Sequence, residues 1–229
     1  MPTGGRQVIP RPPGAHPGRP APWAGLPDHR RDPDLDTVVD LVARAGAGAR
    51  SPLEHAGVPA SAVLAPLHLV DGEPHVIVTR RAQHLRSHRG EVSFPGGRQE
   101  SGEDLWRTAL RESEEEIALD PSTVTRVGEL DHLSTVTGRS FIVPYVGVVD
   151  PVGELVPNPD EVELIRHVSL RELLAEGVFR EERWGIVGMD RPVYFFEIDD
   201  DTIWGATAAM LRNLLAIVTG TVDVAGVAW

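Results

Sequence analysis

One segment constrains this chain more than any other: Gly96-Gly97-Arg98-Gln99-Glu100-Ser101-Gly102-Glu103-Asp104, continuing through Leu119. A double glycine leads into a stretch whose apolar residues recur at helical spacing. Trp106, Leu110, Ser113 and Ile117 form one mostly apolar stripe, predicted to face a core. Ser101 with Asp104 reads as a capping box, which predicts a helix beginning right after the Gly97 loop. On that helix Glu112, Glu115 and Glu116 fall within about 100° of one another. Carboxylates so grouped repel each other unless a cation compensates them, and hard divalent cations such as Mg²⁺ prefer oxygen ligands. Taken alone, the glutamate run also fits a plain solvated helix face. Arg111, which can hold a carboxylate through a forked, charge-assisted hydrogen bond, and the glycine turn tip the reading toward a metal shelf.

A length of 229 residues predicts one domain plus an appendage, and 41% apolar residues suffice for a core. No apolar run approaches membrane-spanning length, so no membrane partner is expected. The net charge of −12 argues against a nucleic-acid surface, which needs basic patches. Cysteine is absent, which excludes disulfides, thiolate nucleophiles and Cys-based zinc sites. Residues 1–27 hold eight prolines, five glycines and no acid. That composition buries little apolar surface, so residues 1–33 are expected to be a disordered tail ahead of a domain at 34–229. The tail lacks the apolar core of a secretory signal, which predicts a cytoplasmic protein.

Asp36–Ala45 reads as a short amphipathic helix. Ser61–Val70 and His75–Thr79 read as strands joined by Asp71-Gly72-Glu73-Pro74, which is hairpin turn chemistry. Further strands are expected at Glu91–Phe94, Val124–Leu133, Ser140–Val149, Val162–Val168 and Val193–Ile198, with helices at Leu170–Ala175 and Trp204–Thr219. The mixture lacks regular strand–helix alternation, so an α+β fold suits it better than a doubly wound sheet. Upstream of the acidic helix, Thr79–Arg89 carries four arginines and two histidines, the densest basic cluster in the chain. It is either a solvated loop or a phosphate grip, and arginine suits the latter because its planar fork meets phosphate oxygens in pairs.

The spacing Gly97-x5-Glu103-x7-Arg111-Glu112-x2-Glu115-Glu116-x2-Leu119 resembles the Nudix box. Ala118 stands where the box usually has glycine, and Ser113 where a small or aliphatic residue is usual; neither change removes a carboxylate. Ala118 costs little if its φ is negative and more if the helix ends in a left-handed turn. The resemblance, which runs from about residue 60 to about 218, implies the Nudix fold, a mixed β-sheet sandwiched between helices. It also implies metal-dependent cleavage of a nucleoside diphosphate derivative. Glu112, Glu115 and Glu116 would hold Mg²⁺ or Mn²⁺, with the Gly96 carbonyl as an added ligand. Glu112 is a candidate base, with Glu161 or Glu163 as a distant alternative, while Glu103 and Arg111 orient the loop and helix.

A second pattern, Thr79-x-Arg81-Ala82-x3-Arg86-x3-Gly90-x3-Phe94-Pro95-Gly96-Gly97, resembles the signature of the coenzyme A pyrophosphatase branch of that family. The Ser134–Gly138 loop and the Ile203–Ala208 run look like the same branch. This resemblance implies hydrolysis of coenzyme A or a derivative to 3′,5′-ADP and 4′-phosphopantetheine or its acyl form. Arg81, Arg86, His88 and Gly97 are the expected substrate contacts. The competing readings are a Nudix enzyme of ADP-ribose, NADH or a nucleoside triphosphate, and a non-catalytic nucleotide-sensing domain. The intact acidic set argues against the last. Monomer and homodimer are both compatible with the sequence.

Overall fold

The computed structural model describes residues 5, 7–54, 56–134, 140–186 and 189–222. It corrects the expectation of a disordered tail. His16–Pro17 (β1) pairs antiparallel with a strand far along the chain, His16 opposite Arg183 and Pro17 opposite Glu182. Trp23 is 2% exposed, edge-on to Phe179 at 5.4 Å and stacked near Phe196 at 6.2 Å. One large aromatic side chain offsets a composition otherwise poor in core residues, since burying a ring of this size is worth several ordinary contacts. The folded unit therefore reaches well into residues 1–33.

Leu35–Ala45 (α1) is capped by Asp34, whose carboxylate accepts from the Thr37 N–H at 2.7 Å. Ala60–Val70 (β2) and Glu73–Arg81 (β3) form the expected hairpin, with Val70 opposite Glu73. Its two turn residues, Asp71 and Gly72, both have positive φ, 50° and 83°, as a two-residue hairpin of this hand requires. Val92–Ser93 (β4) and Gly96–Arg98 (β5) follow, then the acidic helix Leu105–Ile117 (α2). Next come Val124–Glu129 (β6), Leu133–Ser134 (β7), Phe141–Val149 (β8), Val162–Ser169 (β9) and the single-turn helix Leu170–Leu173 (α3). Phe179–Ile186 (β10), Met189–Ile198 (β11), Asp201–Trp204 (β12) and Gly205–Thr219 (α4) complete the described elements.

The larger sheet runs β4-β3-β2-β8-β6, with β5 also on β2, β7 on β8 and β9 on β3; it is mixed because β2 and β8 are parallel. A second, antiparallel sheet runs β1-β10-β11-β12. Alternation along β2 and β3 divides two cores. Ala62, Leu64 and Ile77 face α2, packing with Ala109, Ile117 and Leu119. Ala65, Leu67, Val76 and Val78 face the other way, toward Val38 and Val42 of α1, the apolar residues of α4 and the second sheet. The fold is thus α+β with helices on both faces of a mixed sheet. The second sheet is an addition that the sequence reading did not contain. No helix among the described residues is long and apolar enough to cross a membrane.

Candidate active site

The acidic helix starts three residues later than expected, and Ser101 is not its cap. Asp104 takes that place, accepting from the Arg107 N–H at 3.0 Å, while Ser101 lies exposed in the preceding turn. At the other end Ala118 adopts φ 54° and ψ 31°, so the helix does close in a left-handed turn, its N–H on the Glu114 carbonyl at 2.9 Å. A side chain in that conformation costs about 1 kcal/mol relative to glycine. The departure from the motif at this position is tolerated at the expense of helix-end strain.

Gly96 is there because a side chain would collide with backbone, whereas a side chain at Gly97 would displace the Glu112 carboxylate. Strand β5 lies against β2, Gly96 opposite Val63 and Gly97 opposite Ala62. A Cβ on Gly96 would sit 2.3 Å from the Ala62 carbonyl oxygen, and one on Gly97 would sit 2.4 Å from the carboxyl carbon of Glu112. The backbone of the turn is thereby pressed directly onto the first carboxylate of the shelf.

Arg111 organises the acids around it. Its Nε and Nη2 meet the two oxygens of Glu103 at 3.0 and 3.3 Å, a forked pair. Nη2 also reaches Glu112 at 3.0 Å and donates to the Arg98 carbonyl at 3.2 Å, and Nη1 bonds Glu115 at 3.0 Å. Thr108, which the sequence reading did not single out, donates to Glu103 at 2.8 Å. Arg111 holds the Glu103 carboxyl down to about 2, and Glu103 in turn raises the guanidinium. Through these contacts one guanidinium ties the helix to the preceding loop.

The carboxylates of the shelf do not share one environment. Glu115 is exposed and tied to Arg111. Burial pushes the Glu112 carboxyl up against the pull of Arg111. Glu116 is 4% exposed, and its Oε2 has no hydrogen-bond partner. Burial first and then the Glu161 carboxylate push Glu116 up to about 8, while Arg81 and the Gly96 N–H pull the other way. Among the described residues no three His, Asp or Glu side chains already converge as a metal-binding group. Arg111 takes up Glu115. The donor chemistry nevertheless suits a divalent cation. An orphaned, buried carboxylate oxygen next to a second carboxyl is what such an ion satisfies. Glu112 and Glu116 would hold it, with Glu115 joining by release from Arg111.

Of the two distant acids, the structure brings only Glu161 to the shelf, where its charge acts on both Glu112 and Glu116. Glu163 is instead paired with Arg80 at 3.1 Å. The segment carrying Glu161 is pinned to the helix end by Asn158, whose N–H donates to the Glu116 carbonyl at 2.8 Å. The Glu161 carbonyl receives the Ala82 N–H at 2.8 Å, at the root of the basic loop. Arg81 lies close enough to Glu116 to act on its charge. Arg86 is exposed on the loop, and His88, also exposed, is engaged with Glu91 at 2.9 Å. The loop from Ser134 to Gly138 falls outside the described residues beyond Ser134.

The mixed sheet thus presents a glycine turn and a carboxylate helix beside a basic loop. The Nudix domain model matches residues 58–186, and the chain belongs to the Nudix hydrolase family. It is 36% identical over 155 residues to the uncharacterized Nudix hydrolase NudL of Yersinia pestis (strain Pestoides F), covering 67% of this chain and 77% of that protein. The same figures hold for NudL of Yersinia pseudotuberculosis (serotype O:3, strain YPIII), again 36% over 155 residues. Among solved structures, the Nudix hydrolase RenU of M. smegmatis aligns with a TM-score of 0.48 at 16% identity, covering 73% of this chain and 89% of that one. The Nudix domain of Shewanella oneidensis NrtR, complexed with ADP ribose, aligns with a TM-score of 0.42 at 19% identity, covering 54% and 80%.

Proposed function

We propose that this Nudix hydrolase cleaves the pyrophosphate bond of coenzyme A or an acyl derivative, giving 3′,5′-ADP and 4′-phosphopantetheine or its acyl form. The observation that carries the reading is the placing of Arg81, at the root of the basic loop, near enough to Glu116 for its charge to act on that carboxylate. The first arginine of the basic motif acts on the most buried carboxylate of the shelf, so cations for phosphate oxygens border donors for a divalent ion. The branch assignment is supported by the continuous pattern from Thr79 to Gly97, which the fold threads from β3 through the loop into the turn on Glu112. A divalent cation bound at Glu112 and Glu116 supplies charge neutralisation and acidifies water.

The chain's own residues supply the rest. Arg81 and Arg86 grip phosphate oxygens through paired contacts. Arg111 fixes the helix and turn, so that Glu112 stays against Gly97. Glu161 stands beside Glu112 and Glu116 without being tied to Arg80 as Glu163 is, which favours it as the acceptor of a proton from the attacking water.

Replacing Arg81 or Arg86 with Ala removes a charge-assisted contact worth about 1.5–3 kcal/mol. The kcat/KM for coenzyme A should therefore fall about ten- to a hundredfold. Lys in place of Arg should recover only part of the loss. Dephospho-coenzyme A, which lacks the 3′-phosphate, shows whether either arginine reads that group. Unchanged kcat/KM in both Ala variants would remove the loop from substrate binding.

A further inference from the structure

We infer that the N-terminal segment buttresses the basic loop, with Gln7 as the positioning residue; this rests on the reading that the loop grips substrate phosphates. The Gln7 side-chain amide is used at both ends. Its Nε2 donates to Asp201 Oδ1 at 2.8 Å and to the Gly90 carbonyl at 3.2 Å, and its Oε1 accepts from the Thr202 N–H at 3.0 Å. Gly5 adds a bond from its N–H to Thr202 Oγ1 at 3.1 Å.

Gly90 is where the loop returns to the sheet. It has φ 67°, its N–H donates to the Arg81 carbonyl at 3.0 Å, and a Cβ there would lie 2.6 Å from Gln83. The direction of its carbonyl is therefore fixed by backbone that other residues cannot readily adopt. Asp201 is fully buried and also receives Arg80 and Arg166, at 3.2 and 2.6 Å. Arg80 directly precedes Arg81, so the same carboxylate that holds Gln7 holds the strand from which the loop departs.

The loop is thus clamped from two sides. Residues 158–161 hold it on the side shared with the carboxylate helix, through Ala82 and His84. Gln7 holds it on the side of the second sheet. The position of Gln7 is set in turn by the pairing of Arg11 with Glu182 at 2.8 Å, by β1 on β10, and by buried Trp23. Loosening Gln7 lets Arg86 and its neighbours sample more orientations. Binding weakens while the helix that carries the acids is untouched.

The test uses the full chain with Gln7→Ala and with Gln7→Glu, which keeps the size and the acceptor but removes both donors. Steady-state kinetics with coenzyme A and Mg²⁺ should show KM raised about three- to tenfold, the weight of the one neutral hydrogen bond to the Gly90 carbonyl on the loop. The kcat should stay within about twofold of wild type, since no group at the reacting bond has changed. Limited trypsin digestion, which needs no substrate, should cut after Arg86 and Arg89 at least about threefold faster in both variants. Unchanged cleavage rates overturn the buttress, even in a protein that hydrolyses none of the pyrophosphates offered. Faster cleavage with unchanged KM overturns the loop's part in binding, and the inference with it.

Discussion

Glu116 is the residue on which the chemistry turns. It sits buried on the inner edge of α2 with one oxygen unpartnered, and the groups that raise and lower its pKa are themselves members of the candidate site. Glu116→Gln keeps the volume and removes a charged ligand. Turnover should fall on the order of 10²-fold or more with the fold intact, because a cation supplies several kcal/mol of charge stabilisation. A second readout is independent of substrate. Mg²⁺ or Mn²⁺ should raise the melting temperature of wild-type protein and not of the variant, since ligands that bind only the folded state stabilise it by mass action. Equal activity and equal metal-induced shifts in the two proteins would remove Glu116 from the site. The spacing of the acids was legible in the sequence because all three share one helix. The approach of Glu161, and the capture of Glu163 by Arg80, were not, because both depend on how β9 lies against β3.

At the scale of elements, the largest gap between sequence and structure lies at the N-terminus. Its composition is that of a linker, yet Trp23 finds Phe179 and Phe196 more than 150 residues away, a distance over which no local pattern carries information. Strand β10 was missed for a related reason. Arg180, Glu182 and Arg183 interrupt its apolar alternation, and only the structure shows their partners: Glu197 for Arg180, Asp190 for Arg183, and Arg11 with the Trp184 indole for Glu182. The hairpin at Asp71-Gly72 and helix α1 were readable because turn chemistry and periodicity are local signals. Trp23→Ala should cost about 3–5 kcal/mol, the usual loss for a buried large aromatic. Chemical denaturation of the full-length variant checks this. A loss below about 1 kcal/mol would mean that the segment rests on the domain without stabilising it.

For the whole molecule, one contribution to the pH dependence of stability comes from a cluster away from the acids. His68 on β2 is 4% exposed, its Nε2 2.8 Å from His167 Nδ1, with His75 beside it on β3. Burial first, then His167 and His75, lower His68 from 6.5 to about 4. The unfolded chain therefore takes up a proton before the folded chain does. The stabilising contribution is complete above pH 6.5 and is lost as pH falls from 6.5 toward about 4, at no more than about 1.4 kcal/mol per pH unit. Between pH 7 and 5 the raised Glu116 carboxyl acts in the opposite sense in both proteins, so the difference reads His68: the stability of wild type minus that of His68→Gln should fall as pH falls through this interval. Parallel curves for the two proteins would place the acid sensitivity elsewhere.

We propose that the carboxylate helix of this Nudix hydrolase works beneath a loop that receives coenzyme A. Chromatographic identification of products tests it most directly, with purified full-length protein, Mg²⁺ or Mn²⁺, and coenzyme A, ADP-ribose, NADH and nucleoside triphosphates offered separately. Metal-dependent conversion of coenzyme A to 3′,5′-ADP and 4′-phosphopantetheine is expected, at a kcat/KM above that for the other compounds. Intact coenzyme A alongside rapid cleavage of ADP-ribose would contradict it.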